Sequence, residues 1–108
     1  MRTTAEKLDL FRRFFMGRAD VYGTYDLHTG KVHQVKEPVT DLVLKDHLRG
    51  RMPYGFYMLN GDRTTVAVAD FDENSTVAPL EFVRITRALG MPTYLERSKS
   101  KGYHAWAF

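Results

Sequence analysis

The sequence contains no cysteine. Disulfide bonds, zinc–thiolate sites and thiol catalysis are therefore excluded. The chain also lacks any apolar run near the ~18 residues of a membrane span. Its N-terminal segment is charged from Arg2 onward and lacks the unbroken apolar segment of a signal peptide. Because nothing in the sequence directs the chain to a membrane or out of the cell, we expect a cytoplasmic protein without a membrane partner.

The composition is that of a small globular protein. The chain has 108 residues, of which 44% are hydrophobic and 27% are charged. Repeats, low-complexity segments and interior linkers are absent, so we expect one domain over residues 1–108 that buries roughly 65% of its unfolded surface. The formal charge of +3 suits a polyanionic partner, although many proteins that never bind nucleic acid carry a similar excess.

Two aspartates end an otherwise apolar strand at Thr64 to Asp72. The alternation of side chains along a strand sends Asp70 and Asp72 to the same face. Their Cα atoms would lie about 6.6 Å apart, close enough for both carboxylates to bind metal ions. Two neighbouring carboxylates are costly without a cation, so the pattern favours a metal site. The alternative is a pair of solvated acids that cap the following turn.

A basic, serine-rich turn precedes the last strand. Its polar residues and the first histidine after them are Ser98, Ser100, Lys101, Gly102 and His104. A glycine-containing turn lets backbone N–H groups and a lysine approach a phosphate closely. By itself the turn is better explained as a flexible charged loop, and it indicates a binding site for phosphate groups only in combination with the two aspartates.

The remaining patterns predict an α/β (α+β) fold with the order αββαββαββ, in which helices pack on a mixed, largely antiparallel sheet. Gly17 is expected to end the first helix. Gly61-Asp62 is expected to join a strand at Tyr54–Asn60 to the strand that carries the two aspartates. The third helix is expected to bury one face, formed by Phe82, Ile85 and Leu89.

These residues together resemble the archaeo-eukaryotic primase superfamily of primases and primase-polymerases. That family carries an Asp-x-Asp motif at a strand end, followed by a serine-rich basic turn that leads through glycine to a histidine. Asp70 and Asp72 match the first motif, and the segment from Ser98 to His104 matches the second. Two sequence segments look most like those of the primase domains of bacterial conflict systems and mobile elements, namely GRADVY at residues 17–22 and LERS at residues 95–98. The resemblance runs from about Leu8 to Phe108.

The resemblance implies a primase-polymerase that adds nucleotides to a DNA template and primer from nucleoside triphosphates. Asp70 and Asp72 would be the catalytic residues and would bind two Mg²⁺ or Mn²⁺ ions about 3.5–4 Å apart. The side chains of Ser98, Ser100, Lys101 and His104 would bind the nucleotide. Exposed basic residues would contact template phosphates, and Arg49, Arg51 and Lys99 are the candidates.

The sequence departs from the family in one respect. The third metal-binding aspartate of the family lies beyond the histidine motif, and this chain ends four residues after His104. We therefore expect an N-terminal part of a longer catalytic domain, and the alternative is a half-domain with incomplete catalytic equipment. A helicase or nuclease domain on the same polypeptide would suit the resemblance to conflict systems. Two alternatives remain, namely a nucleic-acid- or nucleotide-binding module without catalysis and a metal-dependent nuclease.

Overall fold

A computed structural model describes all 108 residues and divides them into two compact units, Met1–Thr65 and Val66–Phe108. The predicted α/β class and element order are confirmed, and every strand pairing is antiparallel. The elements are α1 (Thr4–Phe14), β1 (Tyr22–Tyr25), β2 (Val32–Val35), α2 (Asp41–Leu48), β3 (Gly55–Phe56), β4 (Ala67–Phe71), α3 (Val77–Ala88), β5 (Tyr94–Arg97) and β6 (Tyr103–Ala107). None of the helices is long and apolar enough to cross a bilayer. Whether residues 1–108 form a single functional domain stays a prediction.

Both helices of the first unit begin at threonine caps. The Thr3 hydroxyl accepts from the Glu6 backbone N–H, and the Glu6 carboxylate accepts in return from the Thr3 N–H. The Thr40 hydroxyl accepts from the backbone N–H of Val43 at the start of α2. These bonds satisfy N–H groups that the first turn of a helix leaves without partners.

The first sheet has the strand order β2-β1-β3, with β1 paired to both neighbours. Tyr22 of β1 lies in the core of the unit, packed with Leu8 of α1 and Leu44 of α2. Leu44 has no exposed surface. The core is therefore formed by one helix face from each helix and one face of the sheet.

The prediction that Gly17 ends α1 is wrong. The helix ends at Phe14 with Phe15 as its C-cap residue. A Cβ atom on Gly17 would lie 2.1 Å from the carbonyl oxygen of Tyr57, and that same oxygen accepts from the Arg18 backbone N–H at 3.0 Å. Glycine is required here because two backbone segments approach each other, and not because the helix stops.

The predicted hairpin between Tyr54–Asn60 and the aspartate strand is also wrong. The turn at Gly61 forms, with φ at +66°, and Asn60 and Arg63 make one isolated bridge. The ladder does not continue, because β3 is only two residues long and pairs with β1, whereas all five residues of β4 pair with β6. The sequence correctly predicts a turn at Gly61, but the residues of a turn do not determine which strand a segment pairs with.

The second unit is a sheet of order β4-β6-β5 with α3 packed on one face. The Phe71 and Phe82 rings meet edge to face, with centroids 5.6 Å apart. Of the predicted buried face of α3, Phe82 is half-buried, but Ile85 and Leu89 are 44% and 78% exposed. The helix instead buries Pro79 and Thr86. The hydroxyl groups of Thr86 and Thr93 are hydrogen-bonded, with their oxygen atoms 2.8 Å apart. A buried hydroxyl pair thus replaces part of the apolar stripe that hydropathy predicted.

Candidate functional site

Three ionisable side chains form a row across the sheet of the second unit. The strand register pairs Asp70 of β4 with His104 of β6, and His104 with Glu96 of β5. Residues directly opposite one another on neighbouring strands project from the same face of a sheet. The histidine therefore lies between two carboxylates, one from each edge strand.

The contacts within this row are unequal. His104 Nδ1 lies 2.8 Å from Glu96 Oε1, which is hydrogen-bonding distance, whereas His104 Nε2 lies 3.5 Å from Asp70 Oδ1. The indole N–H of Trp106 also donates to Glu96 Oε1, at 3.1 Å. The Glu96 carboxylate thus accepts two N–H groups from β6, while the Asp70 carboxylate is 64% exposed and available to other ligands.

Gly102 holds the basic turn against the end of β4. Its φ is +87°, and a Cβ atom there would lie 1.8 Å from the carbonyl oxygen of Phe71 and 3.1 Å from the Cα atom of Asp72. The Gly102 N–H donates to the side-chain oxygen of Asn74, and its carbonyl accepts from the Ser98 N–H. The turn between β5 and β6 is therefore docked on the segment that carries the aspartates.

The predicted site residues divide into two groups. Asp70 and His104 are in contact, and Asp72 lies directly beside the docked glycine. Ser98 is half-buried in the turn, and Ser100 and Lys101 are exposed on it. The assignment of these three side chains to the nucleotide stays a prediction.

The two aspartates open onto a cavity of about 520 Å³. The other residues that line it are Phe71, Glu73, Ser75 and the start of α3 from Val77 to Pro79. This space lies where β4 ends, so a ligand held by the aspartates has room beside the exit loop.

The donor set at the aspartates fits a magnesium or manganese ion bound together with substrate. No group of three or more acidic or histidine side chains is arranged to hold a metal ion in the structure. Magnesium, however, is commonly bound through one or two carboxylates together with water and substrate phosphates, and does not need a cage of protein ligands. Asp70 and Asp72 are both exposed carboxylates of that kind.

Sequence reasoning missed the contributions of Glu96 and Asn74. The sequence pattern gives no partner for Glu96. The signal that could have found one is hairpin register: once Ser98 and Gly102 close the turn, Glu96 falls opposite His104. Asn74 carried no comparable signal, because its bond to Gly102 spans 28 residues.

Two polar side chains of the first unit, Arg18 and His47, have structural partners. Arg18 makes a two-pronged ion pair with Asp20, and the hydrogen bonds from this guanidinium lower the pKa of Asp20. His47 Nδ1 lies 3.1 Å from the carbonyl oxygen of Met52, and its ring packs against Phe11. These contacts explain both side chains without a ligand.

The chain is similar to a known family of protein domains. The sequence model of the TOTE conflict system archaeo-eukaryotic primase domain matches residues 26–108. A search of curated proteins finds no match. The matched span includes β4, the docked turn and β6, and so includes every residue of the row across the second sheet.

Proposed function

Because the chain belongs to the archaeo-eukaryotic primase domain family of TOTE conflict systems, we propose that it contains the nucleotide-binding part of a template-directed nucleotidyltransferase. The family is one of primase- and polymerase-like nucleotidyltransferases that use divalent metals. The proposed substrates are nucleoside triphosphates and the primer end of a DNA template. The proposed reaction is the addition of one nucleotide to a 3′-hydroxyl.

The observation that carries this proposal is the approach of Asp70 and His104 across β4 and β6, next to a turn docked through Gly102. A nucleoside triphosphate needs carboxylates for its metal and cationic or N–H groups for its phosphates. Both kinds of group project from one end of this sheet. Neither motif alone supports nucleotide binding as strongly as their combination does.

Asp70 and Asp72 would hold Mg²⁺ or Mn²⁺ together with the triphosphate. When bound, the metal supplies Lewis acidity, which lowers the pKa of the attacking hydroxyl and neutralises charge on the departing pyrophosphate. The two aspartates would determine where the metal, and therefore its positive charge, lies on the sheet. This role requires both carboxylates to be ionised.

The protein's own groups would position the triphosphate. Lys101 and the hydroxyls of Ser98 and Ser100 would bind phosphate oxygens, as charge-assisted hydrogen bonds to phosphate are among the stronger polar interactions. His104 would present its Nε2 atom to the same phosphates. Held this way, the α-phosphorus would be oriented for in-line attack.

The reaction needs no reactant besides the primer end and the nucleoside triphosphate. The primer 3′-oxygen forms a bond to the α-phosphorus and loses its proton to solvent. The bond between the α-phosphorus and the bridging oxygen breaks, and its electron pair leaves with pyrophosphate. Base pairing to the template selects the nucleotide, so the protein needs no base-specific contact for that choice.

The test is an NMR titration of the whole chain with a non-hydrolysable nucleoside triphosphate and Mn²⁺. We expect paramagnetic broadening at the amides of residues 70–73 and 98–104. The Asp70→Asn variant should lose this broadening and bind metal–nucleotide about tenfold or more weakly, because several kcal/mol of metal-ligand interaction depend on that charge.

Asp62→Asn is the matched control, since it removes the same charge from an exposed turn in the other unit. It should leave the broadening unchanged. Broadening that is spread over the chain, or that survives in Asp70→Asn, would contradict the site.

Two other results would favour the alternative functions. Cleavage of DNA or RNA without nucleoside triphosphates would favour a nuclease. Nucleotide binding with no primer extension by any longer form of the protein would favour a binding module.

A further inference from the structure

Glu96 is the one acidic side chain of the row that the proposed reaction does not use. It lies on β5, directly opposite His104, and it is half-exposed. A solvated glutamate at a strand edge usually has no fixed partner. This one accepts two N–H groups with a single oxygen, Oε1, from His104 and from Trp106.

The two donors hold the carboxylate from neighbouring positions on one strand. His104 and Trp106 are two residues apart on β6, so their side chains lie on the same face, and their rings meet edge to face with centroids 6.2 Å apart. The Trp106 N–H can only donate. The Trp106 N–H therefore holds Glu96 Oε1 as an acceptor within hydrogen-bonding distance of His104 Nδ1.

An ionised carboxylate accepts hydrogen bonds and donates none, so the histidine Nδ1 must carry a proton in this contact. That is true of the charged ring and of the neutral ring alike. The other nitrogen, Nε2, is consequently the one that can meet a ligand. It lies on the Asp70 side of the ring, 3.5 Å from Oδ1.

We propose that Glu96 is a positioning residue, which fixes the Nδ1–H form and the orientation of His104 so that Nε2 is presented on the side of Asp70. Trp106 supports this role by orienting the carboxylate. The ligand class for Nε2 is a phosphate oxygen of a nucleoside triphosphate, which accepts only from a protonated Nε2, so the ring that binds it carries a proton on both nitrogens and keeps its Nδ1–H on Glu96. That part of the inference depends on the proposed function. The part that concerns the histidine ring does not depend on it.

Carboxylate–histidine pairs of this kind set the tautomer and ring orientation of histidines that bind a ligand through the opposite nitrogen. Where the histidine binds a metal, loss of the carboxylate costs about 10–100-fold in metal affinity or activity, and we take this range as the scale for the pair at His104. This loss of affinity is distinct from a loss of stability, because the histidine can remain packed in the sheet while its ring flips or exchanges tautomers.

The test is the tautomer of His104, read from two-bond proton–nitrogen correlations of the imidazole ring in histidine-labelled protein at a mildly alkaline pH. The wild-type ring should have a protonated Nδ1 and an unprotonated Nε2. In Glu96→Gln, the amide can either accept from Nδ1 or donate to it, so the ring should become a mixture of both tautomers. Glu81→Gln is the control, since Glu81 pairs with Arg84 on α3 and does not contact the histidine.

The same variants are then titrated with Mn²⁺ and a non-hydrolysable nucleoside triphosphate. Glu96→Gln should bind about 10–100-fold more weakly, while Glu81→Gln binds as the wild type does. A backbone amide spectrum that is unchanged outside β5 and β6 would show that the fold is intact.

Three results would overturn parts of the inference and can be distinguished. A wild-type ring protonated at Nε2, or a ring whose tautomer is the same in Glu96→Gln, would overturn the positioning role. A changed tautomer with unchanged nucleotide affinity would overturn the link from Nε2 to phosphate. If the wild type binds no nucleotide, the proposed function fails, but the ring spectra still decide whether Glu96 positions His104.

Discussion

Gly102 is the residue on which the arrangement of the site depends most directly. It has a left-handed φ of +87°, and a side chain there would collide with the Phe71 carbonyl. We expect Gly102→Ala to destabilise the second unit by about 3 kcal/mol, of which about 1–2 is backbone strain and the rest is overpacking against β4. Denaturant unfolding followed by fluorescence measures this, because Trp106 is the only tryptophan and lies in this unit.

Gly90 provides the control for that substitution. Its φ is +80°, yet nothing lies within 4 Å of where a Cβ atom would be. Gly90→Ala should therefore cost only the strain of about 1–2 kcal/mol. Equal losses in the two variants would mean that the close approach to β4 contributes nothing.

The candidate site was predictable from sequence in part, and the limit is set by register. Asp70 and His104 were expected to face one pocket, and they do meet across β4 and β6. The partner of Glu96 depends on how the hairpin closes. That closure is fixed by the Ser98–Gly102 bond and by the contact of Gly102 with Phe71, which join positions that local patterns treat separately.

At the scale of elements, local signals predicted the helices and strands well and their packing less well. Caps at Thr3 and Thr40 and the order of elements follow from short-range chemistry. The false hairpin before β4 and the false apolar face of α3 have the same cause. Both were derived from one segment alone, whereas pairing and burial depend on which other segment competes for it.

The hairpin of β1 and β2 has a pH-sensitive turn. Asp26 Oδ1 accepts from the backbone N–H groups of Thr29 and His28, each at 2.8 Å, and these bonds lower the pKa of Asp26. Because the pKa is lower in the folded hairpin than in the unfolded chain, protonation favours the unfolded form. The contribution of Asp26 is present above the ordinary aspartate pKa of about 3.9 and is lost as pH falls below it.

We therefore expect amide hydrogen exchange in β1 and β2, corrected for the intrinsic rate at each pH, to show less protection at pH about 3 than at pH about 6. In Asp26→Asn the amide oxygen still accepts both N–H groups but does not titrate in this range. Its hairpin should show a smaller difference between the two conditions. The same loss of protection in both proteins would assign the effect to other carboxylates.

At the scale of the whole molecule, the net charge is unevenly distributed. Residues 1–65 contain eleven lysine and arginine residues against eight aspartate and glutamate residues, whereas residues 66–108 contain five of each. The excess of +3 is therefore entirely in the first unit. The second unit, which carries the proposed nucleotide site, has no net charge to attract a nucleic acid, so any general attraction to a template's phosphates would come from the first.

Arg49 is the first-unit cation that best tests this division of roles. It is exposed at the C-cap of α2, whereas the neighbouring Arg51 lies 3.8 Å from the carboxylate of Asp46. If Arg49 contacts one phosphate of a single-stranded template, Arg49→Gln should reduce the slope of log affinity against log salt by about 0.7, since each contact releases condensed counterions. The measurement is binding of a labelled oligothymidine at several salt concentrations.

Lys31→Gln removes the same charge from the turn between β1 and β2 and serves as the control. A smaller slope in Arg49→Gln alone would assign a phosphate contact to the end of α2. Equal reductions in both variants would mean that the first unit attracts DNA through its net charge only, because diffuse attraction depends on total charge and not on position. An unchanged slope in both would place the template elsewhere and leave the charge asymmetry unrelated to DNA binding.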